Sequence, residues 1–340
     1  MANESDRLIG ESPEFSSLLE QASTIAPLHK PVLIVGERGT GKEGIAGRLH
    51  FLSNRWEGQF IKLNCAAISE SLMESELFGH EAGAFTGATK THHGRFERAH
   101  GGTLFLDELA NTSMSVQEKI LRVIEYGEFE RVGGNKTIQC DVRLVAATNE
   151  DLPTLAQQGK FRADLLDRLA FDVLTIPPLR HRTDDILLLA EHFAVAMAKE
   201  MGRSMFAGFT QNAKATLQNH RWPGNVRELK NTVERAVYRI TDEEAVDEIV
   251  LDPFESPYRL QSKSQDPAPA TDMTTTFPLD LKQQTREREI ALIEAALEAA
   301  KYNQKAAADN LQLTYHQLRG YLKKYNLVGE RNSDDELEDQ

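Results

Sequence analysis

Gly36-Glu37-Arg38-Gly39-Thr40-Gly41-Lys42-Glu43 is the stretch that decides the fold of this 340-residue chain. Its G-x-x-x-x-G-K spacing is that of a phosphate-binding loop. The glycines let successive backbone N–H groups converge on phosphate oxygens, and Lys42 brings positive charge to the β- and γ-phosphates. All eight residues are therefore candidate ATP contacts. One position departs from the general pattern: Glu43 stands where Ser or Thr usually meets magnesium. A glycine-rich turn between a strand and a helix is, by itself, also compatible with a purely structural role.

Outward from the loop, the chain alternates short apolar runs with helical patterns. The strand candidates are Val32–Gly36, Phe60–Asn64, Gly102–Asp107, Val142–Thr148 and Phe171–Ile176. They read as continuous apolar runs, as expected of parallel strands covered by helices on both faces. The expected fold class is α/β, with a parallel-sheet nucleotide-binding core over 1–176. Gly101-Gly102-Thr103-Leu104-Phe105-Leu106-Asp107-Glu108 is an apolar strand ending in two carboxylates. Asp107 is placed to hold Mg²⁺ and Glu108 to polarise the attacking water, the division of labour that phosphoanhydride hydrolysis requires. Ala146-Ala147-Thr148-Asn149 ends another strand, so Thr148 and Asn149 are expected near the γ-phosphate. Asn64 ends a third. It is expected either to hydrogen-bond Glu108 or simply to cap its own strand.

Composition narrows the class. With 40% hydrophobic and 27% charged residues the chain is globular, and its longest apolar runs are far too short to span a bilayer, so no membrane insertion is expected. The start, Met1–Arg7, is polar rather than signal-like. Two cysteines, Cys65 and Cys140, make no disulfide framework or zinc site, which fits a reduced cytoplasmic location. Net charge is −13, so any contact with nucleic acid needs a local basic patch.

Beyond the core, Ile186, Leu187, Ala190, Phe193, Ala194 and Met197, then Leu229, Val233, Ala236 and Val237, recur at helical spacing. They predict a helical lid subdomain over 177–240. Residues 241–281 are rich in acids, Pro, Ser and Thr without periodicity, and predict a flexible linker. Helices are expected over Glu289–Ala300, Asn303–Asn310 and Thr314–Tyr325, with Leu311-Gln312-Leu313 as the turn and Thr314 as an N-cap. Packing Leu318, Tyr321 and Leu322 inward leaves Tyr315, His316, Gln317, Arg319, Lys323 and Lys324 outside. With Thr314, these make a polar, basic reading face over 282–328, the helix-turn-helix that DNA binding requires; a plain dimerisation bundle fits the same periodicity. Residues 329–340 carry six acids against one arginine and predict a solvated tail.

Three further stretches hint at neighbours. Phe161–Leu169 reads as a short helix buried through Phe161, Leu165 and Leu169. Its Arg162 and Arg168 leave on sides about 120° apart. They serve either as surface ion pairs, Asp164 with Arg168, or as fingers reaching the γ-phosphate of an adjacent subunit. Trp222-Pro223-Gly224-Asn225-Val226-Arg227-Glu228-Leu229 is a turn feeding a helix, from which Arg227 faces either solvent or the phosphates. Gly83-Ala84-Phe85-Thr86-Gly87-Ala88 is a loop of small residues around a Phe-Thr pair, with a second loop, Glu128–Lys136, as its companion.

Together these motifs resemble the AAA+ ATPases that activate bacterial transcription by the sigma-54 form of RNA polymerase. The resemblance covers about Leu8 to Ile240, with a helix-turn-helix after it. In that family a Glu follows the loop lysine, so Glu43 is regular. The resemblance implies that Arg162 and Arg168 belong to the trans-acting finger region and that Arg227 is a second phosphate sensor. It also implies that Gly83, Ala84, Phe85, Thr86, Gly87 and Ala88 form the tip that contacts sigma-54. It implies ATP and Mg²⁺ as cofactors, a ring of six subunits or so, and an upstream enhancer as the DNA target. Only about seven polar residues precede the ATPase core, so control is expected from a separate inhibitory protein acting in trans. Trp56, between Arg55 and Glu57, is then either its contact or a packing tryptophan.

Overall fold

The computed structural model describes residues 8–241, 244–254, 258, 281–300, 303–325 and 327. The chain divides into two compact units, Met1–Ser256 and Pro257–Gln340.

In the first unit, α1 (Pro13–Ile25) precedes β1 (Val32–Val35). The phosphate loop leads into α2 (Lys42–Phe51), β2 (Phe60–Asn64), α3 (Glu70–Phe78), α4 (Arg95–Arg98) and β3 (Thr103–Asp107). There follow α5 (Met114–Tyr126), a hairpin of β4 (Glu128–Glu130) and β5 (Thr137–Gln139), β6 (Arg143–Thr148), α6 (Leu152–Gln157), α7 (Ala163–Leu169) and β7 (Val173–Thr175). The other five strands form a parallel sheet in the order β2-β3-β6-β1-β7. Alternation along each strand feeds two cores. Leu33, Leu104, Leu106, Leu144 and Ala146 pack against α5 and α7 on one face; Val32, Ile34, Phe105, Val145 and Ala147 pack against α1 and α2 on the other. β6 is buried throughout, as a strand with helices on both faces should be. The edge strands differ from that expectation. Lys62 in β2 and Val173 and Thr175 in β7 are exposed, because an edge strand has a neighbour on one side only.

The registers bring one set of ends together. Val35 pairs with Thr148 and Asn64 with Asp107, so the carboxyl ends of β1, β2, β3 and β6 share one edge with the phosphate loop. At the opposite end, Arg143 is 2% exposed and, among the described residues, pairs with no carboxylate. Its guanidinium instead donates to the carbonyls of Ile25, Ala26, Lys30 and Leu49, the C-terminal ends of α1 and α2 among them.

The helices α8 (Thr183–Glu200), α9 (Gln211–Asn219) and α10 (Asn225–Arg239) close around Ile186, Leu189, Ala190, Leu217, Trp222, Leu229 and Val233. The expected linker begins later than its composition suggests. Val246 is fully buried, pairs with Phe209 and exchanges backbone hydrogen bonds with Gly208 and Thr210, while Ile249 joins the same core. A short apolar run, Ala245–Leu251 interrupted by two acids, fills the lid there, and it is too short to register as a helix or strand pattern. The remainder of the expected linker (255–280, apart from 258) and the expected acidic tail at 329–340 lie outside the described residues.

In the second unit, α11 (Leu281–Ala299), α12 (Gln304–Asn310) and α13 (Tyr315–Lys324) enclose Ile293, Leu297, Ala307, Ala308, Leu318 and Leu322. α11 starts well before the expected Glu289. Asn303 caps α12, and Thr314 with Gln317 forms a reciprocal capping box on α13.

Candidate active site and the surfaces around it

The phosphate loop is held open by its own atoms. Thr40 Oγ1 donates to the Glu37 carbonyl at 2.8 Å, and Lys42 Nζ, nearly buried, bonds the Gly36 carbonyl at 3.0 Å. Gly41 takes φ +98°, the left-handed conformation that a side chain would strain, at the point where the chain turns into α2. Among the described residues, the N–H groups of Thr40, Gly41 and Lys42 meet no acceptor, which is the arrangement an anion completes. The side chains of Glu37 and Glu43 point elsewhere: Glu37 to Arg180 and Asn225, Glu43 to Lys62 at 2.7 Å. Those two residues offer phosphate only their backbone, while Arg38 is exposed.

At the strand ends, Asp107 Oδ1 accepts from the Glu108 N–H at 3.0 Å. Burial pushes the Asp107 carboxyl above its ordinary range, opposed by the charge of Lys42. Glu108 has φ +54°, a conformation that costs about 1–3 kcal/mol and persists only where surroundings enforce it. Its Oε1 lies 3.8 Å from Lys42 Nζ, while its Oε2 is buried without a partner. Asn149 Oδ1 is likewise buried and unpartnered. A buried polar atom without a partner is costly, so two of them at the carboxyl ends of neighbouring strands fit a polar ligand seated between them. Thr148 is fully buried. Its hydroxyl accepts from Glu150 N–H, and its carbonyl accepts from Gly36 N–H, tying this strand end to the phosphate loop.

Asn64 takes the second of its two expected roles. Its Oδ1 accepts from Ala66 N–H at 2.9 Å and caps the short turn Cys65–Ala67; no bond to Glu108 is present. The register still sets it beside Asp107. Cys65, beneath these carboxylates, is pushed up to about 12 by burial and by Asp107 and Glu108, so it is no nucleophile. Arg227 lies over the loop from the lid side. The Val226 N–H bonds the Gly39 carbonyl at 3.0 Å, and a Cβ on Gly39 would lie 3.1 Å from that of Arg227.

The two finger-region arginines stand apart from each other. Arg162 pairs with Asp164 at 2.8 Å and, more loosely, with Glu118. Arg168 pairs with Glu125 at 2.9 Å, not with the expected Asp164, whose carboxylate Arg162 already occupies. Arg168 also borders a cavity of about 590 Å³ with Lys30, Arg143, Tyr126 and Phe171, at the end of β6 opposite Thr148.

The Gly83–Ala88 loop is a self-closed protrusion. Gly83 N–H donates to the Ala88 carbonyl at 2.7 Å and Ala88 N–H to that of Phe85 at 3.0 Å, with Gly83 at φ +84° and Gly87 at φ +100°. Phe85 is 43% exposed, its ring edge-on to His80, and Thr86 is exposed. The companion stretch is a hairpin, β4–β5, and not only a loop. It is clasped to the base of the first: Glu81 N–H bonds the Val132 carbonyl, and Arg131 pairs with both Glu81 and Glu97. In the second unit, His316, Arg319 and Lys323 are exposed on α13, and Tyr315 is half-buried. Gln317 is committed to the capping box, and Lys324 leans over the Tyr325 ring toward Glu289.

Comparison with known proteins decides the family. Residues 8–175 match the sigma-54 interaction domain, 180–268 the AAA+ ATPase lid domain, and 284–325 the bacterial regulatory protein, Fis family. The Psp operon transcriptional activator of Escherichia coli K12 is 59% identical over 331 residues, 96% of this chain and all of that protein. The chain belongs to the sigma-54-dependent transcriptional activators. A Nif-specific regulatory protein of Azotobacter vinelandii is 44% identical over 94% of the chain, which spans only 59% of that longer activator. Among solved structures, NtrX from Brucella abortus in complex with ATP superposes with a TM-score of 0.67 at 33% identity, over 95% of this chain and 71% of that one. Like the rest of its family this activator is an AAA+ ATPase: it binds ATP, interacts with sigma-54 and carries a DNA-binding helix-turn-helix. No described helix is long and apolar enough to cross a membrane.

Sequence reading missed two parts of the site. One is the clasp that Glu37 makes with the lid. The other is a buried latch in which Asp185 on α8 accepts from Glu11 N–H, Ser12 N–H and Ser12 Oγ and pairs with Arg182, fixing the chain ahead of α1 to the lid. Neither has a spacing signal, because each joins residues more than 140 positions apart.

Proposed function

We propose that this activator hydrolyses ATP between neighbouring copies of itself in a ring, six being the expected number, and uses the cycle to remodel the closed complex of sigma-54 RNA polymerase holoenzyme. The observation that carries this reading is the buried, unpartnered Glu108 Oε2, opposite a likewise unpartnered Asn149 and behind a loop with unfilled N–H groups. Glu108 takes the proton of the attacking water, Lys42 and the loop N–H groups steady the phosphates, and Arg227 reaches them from the lid. Asp107 would hold Mg²⁺, directly or through water, and the ion would supply positive charge that neutralises the phosphates as charge develops. Arg162 and Arg168, on two sides of one short helix, are the residues offered to the γ-phosphate of the adjacent copy. Asn64, Thr148 and Asn149 report the state of the phosphate. The change travels to the Gly83–Ala88 loop, whose Phe85 and Thr86 meet sigma-54.

The α13 residues Thr314, Tyr315, His316, Gln317, Arg319, Lys323 and Lys324 supply the face that docks on upstream enhancer DNA, with Gln317 and Lys324 needing to exchange their internal partners. The likeness to the Psp operon activator supports the phage-shock stress operon as the target and phage shock protein A as the inhibitor in trans. Trp56 is 58% exposed, and Phe51 and Leu52 beside it are exposed too, which favours contact over packing at this position. Open-complex formation with purified polymerase and sigma-54 tests the proposal. ATP is expected to support it and a non-hydrolysable analogue to fail; equal melting with both would refute the coupling. ATPase activity without any binding of sigma-54 would instead favour a remodelling chaperone on the same core.

A further inference from the structure

The phosphate loop is bonded to the lid more extensively than to its own sheet, and the bonds converge on one side chain that the hydrolytic mechanism does not use. Glu37 receives both terminal nitrogens of Arg180, at 2.9 and 2.6 Å, and the Asn225 side-chain amide at 3.0 Å. The same amide nitrogen reaches the Arg38 carbonyl at 3.1 Å, while Asn225 Oδ1 accepts from Leu179 N–H at 2.8 Å. Asn225 is wholly buried and lies at φ +53°, three residues after Trp222 at φ +51°. Two residues other than glycine in the left-handed region within one turn store strain, which survives only where the surroundings over-determine it. Trp222 is held by its own lid, through the Leu217 carbonyl and His220, whereas Asn225 is held on one side by Leu179 of the lid and on the other by the phosphate loop. A Cβ on Gly39 would sit 2.3 Å from the Gly224 carbonyl, so loop and turn are in direct backbone contact.

Arg227 is two residues beyond Asn225, in the first turn of α10. Its side chain is aimed by whatever fixes Asn225, and Asn225 is fixed by Glu37 and the Arg38 carbonyl. We infer that Glu37, through Asn225 and with Arg180 behind it, is a positioning residue that sets Arg227 against the phosphates and makes the lid follow the conformation of the phosphate loop. The inference rests on Arg227 acting as the lid-side phosphate contact. The charge of the clasp is stable across working pH, since Arg180 first and Asn225 second hold the Glu37 carboxyl down at about 2. Lys42 bears on the same segment, because its Nζ is 3.5 Å from the Glu37 carbonyl and must turn from it to meet a phosphate. The loop carbonyls and the lid turn thus shift together when a nucleotide is seated.

A double-mutant cycle in the full chain separates positioning from mere support. Glu37→Ala is expected to lower kcat for ATP about tenfold in the wild-type background, the scale of a misplaced contact. In an Arg227→Ala background the same change is expected to cost less than about twofold, because there is no guanidinium left to aim. Equal losses in the two backgrounds, or no loss in the first, would overturn the inference while leaving the site reading intact. Full kcat in Arg227→Ala alone would remove the site reading and the inference with it. Side chains at Glu37 and Arg180 are 42% and 39% exposed, so truncation leaves no buried cavity. If Glu37→Ala nevertheless loses thermal stability or affinity for ADP, Arg180→Ala gives the same cycle from the solvent side, with the same two outcomes deciding.

Discussion

The phosphate edge of the sheet and the Gly83–Ala88 loop belong to one compact unit yet are built on opposite principles. At the phosphate edge the structure leaves work undone: two buried oxygens without partners, loop N–H groups without acceptors, and a left-handed Glu108. The loop instead buries no unpartnered oxygen: its tip, Phe85, Thr86 and Gly87, is exposed to solvent. Its backbone bonds close on themselves, its base is clasped to the β4–β5 hairpin by Arg131, and its two characteristic side chains face outward. The first region is prepared for a small charged ligand and is sensitive to single atoms. The second is a closed turn whose Phe85 and Thr86 side chains are exposed, as the proposed contact with sigma-54 needs. The reading helix of the second unit resembles the loop in this respect, with its capping box satisfied and its chemistry on exposed side chains.

The contrast can be broken most sharply at Glu108. Glu108→Gln keeps the shape but turns one acceptor oxygen into an NH₂ donor and removes the base, so ATP turnover is expected to fall by at least about 10²-fold with nucleotide affinity retained, measured by phosphate release and by binding of a fluorescent ADP. Turnover within a few-fold of wild type would return Glu108 to a structural role. Next in size, Thr86→Ala is expected to abolish open-complex formation while changing ATPase activity by less than about threefold, since no atom of Thr86 supports the fold. Loss of both activities would mean that the tip and the phosphate edge are not separable as described. Third, Arg319→Ala is expected to weaken DNA binding by about 1–3 kcal/mol if it reads a base, or to reduce the salt slope by about one unit if it meets phosphate. Unchanged affinity at all salt concentrations would take α13 off the DNA.

The smallest effect concerns stability. Burial raises the Asp107 carboxyl, so its protonated form is favoured in the folded protein; the contribution is present below the ordinary carboxylate range and is lost as pH rises through the raised value. Asp107→Asn is therefore expected to raise the nucleotide-free melting temperature by a few degrees, roughly 1–4 °C, at pH 8 and to leave it unchanged near pH 3.5. A variant less stable than wild type at pH 8 would show that Asp107 is held by partners and not strained by burial.

Much of the nucleotide core was legible because its signals are local. Val32–Val35, Phe60–Asn64 and Thr103–Asp107 are apolar runs that stop at the residues needed, and the strand ends announce Asp107, Glu108, Thr148 and Asn149. What was illegible depends on distant pairing. Nothing in the spacing chooses between the two roles expected of Asn64, or says that Arg168 takes Glu125 rather than Asp164 or that Gln317 spends its amide on its own helix. Competition among nearby polar groups decides each of these, and a few tenths of a kcal/mol suffices to choose. Val246 and Ile249 escaped for a related reason: the short apolar run around them is flanked by acids and extends no helical or strand period, yet it fills the lid.

A lever needs a fulcrum that does not yield, and Arg143 provides it. Rooted in the carbonyl tips of two helices, it bolts the foot of β6 to the layer carrying α1 and α2. Lifting the foot of β6 away from that layer would cost the buried guanidinium its carbonyl acceptors.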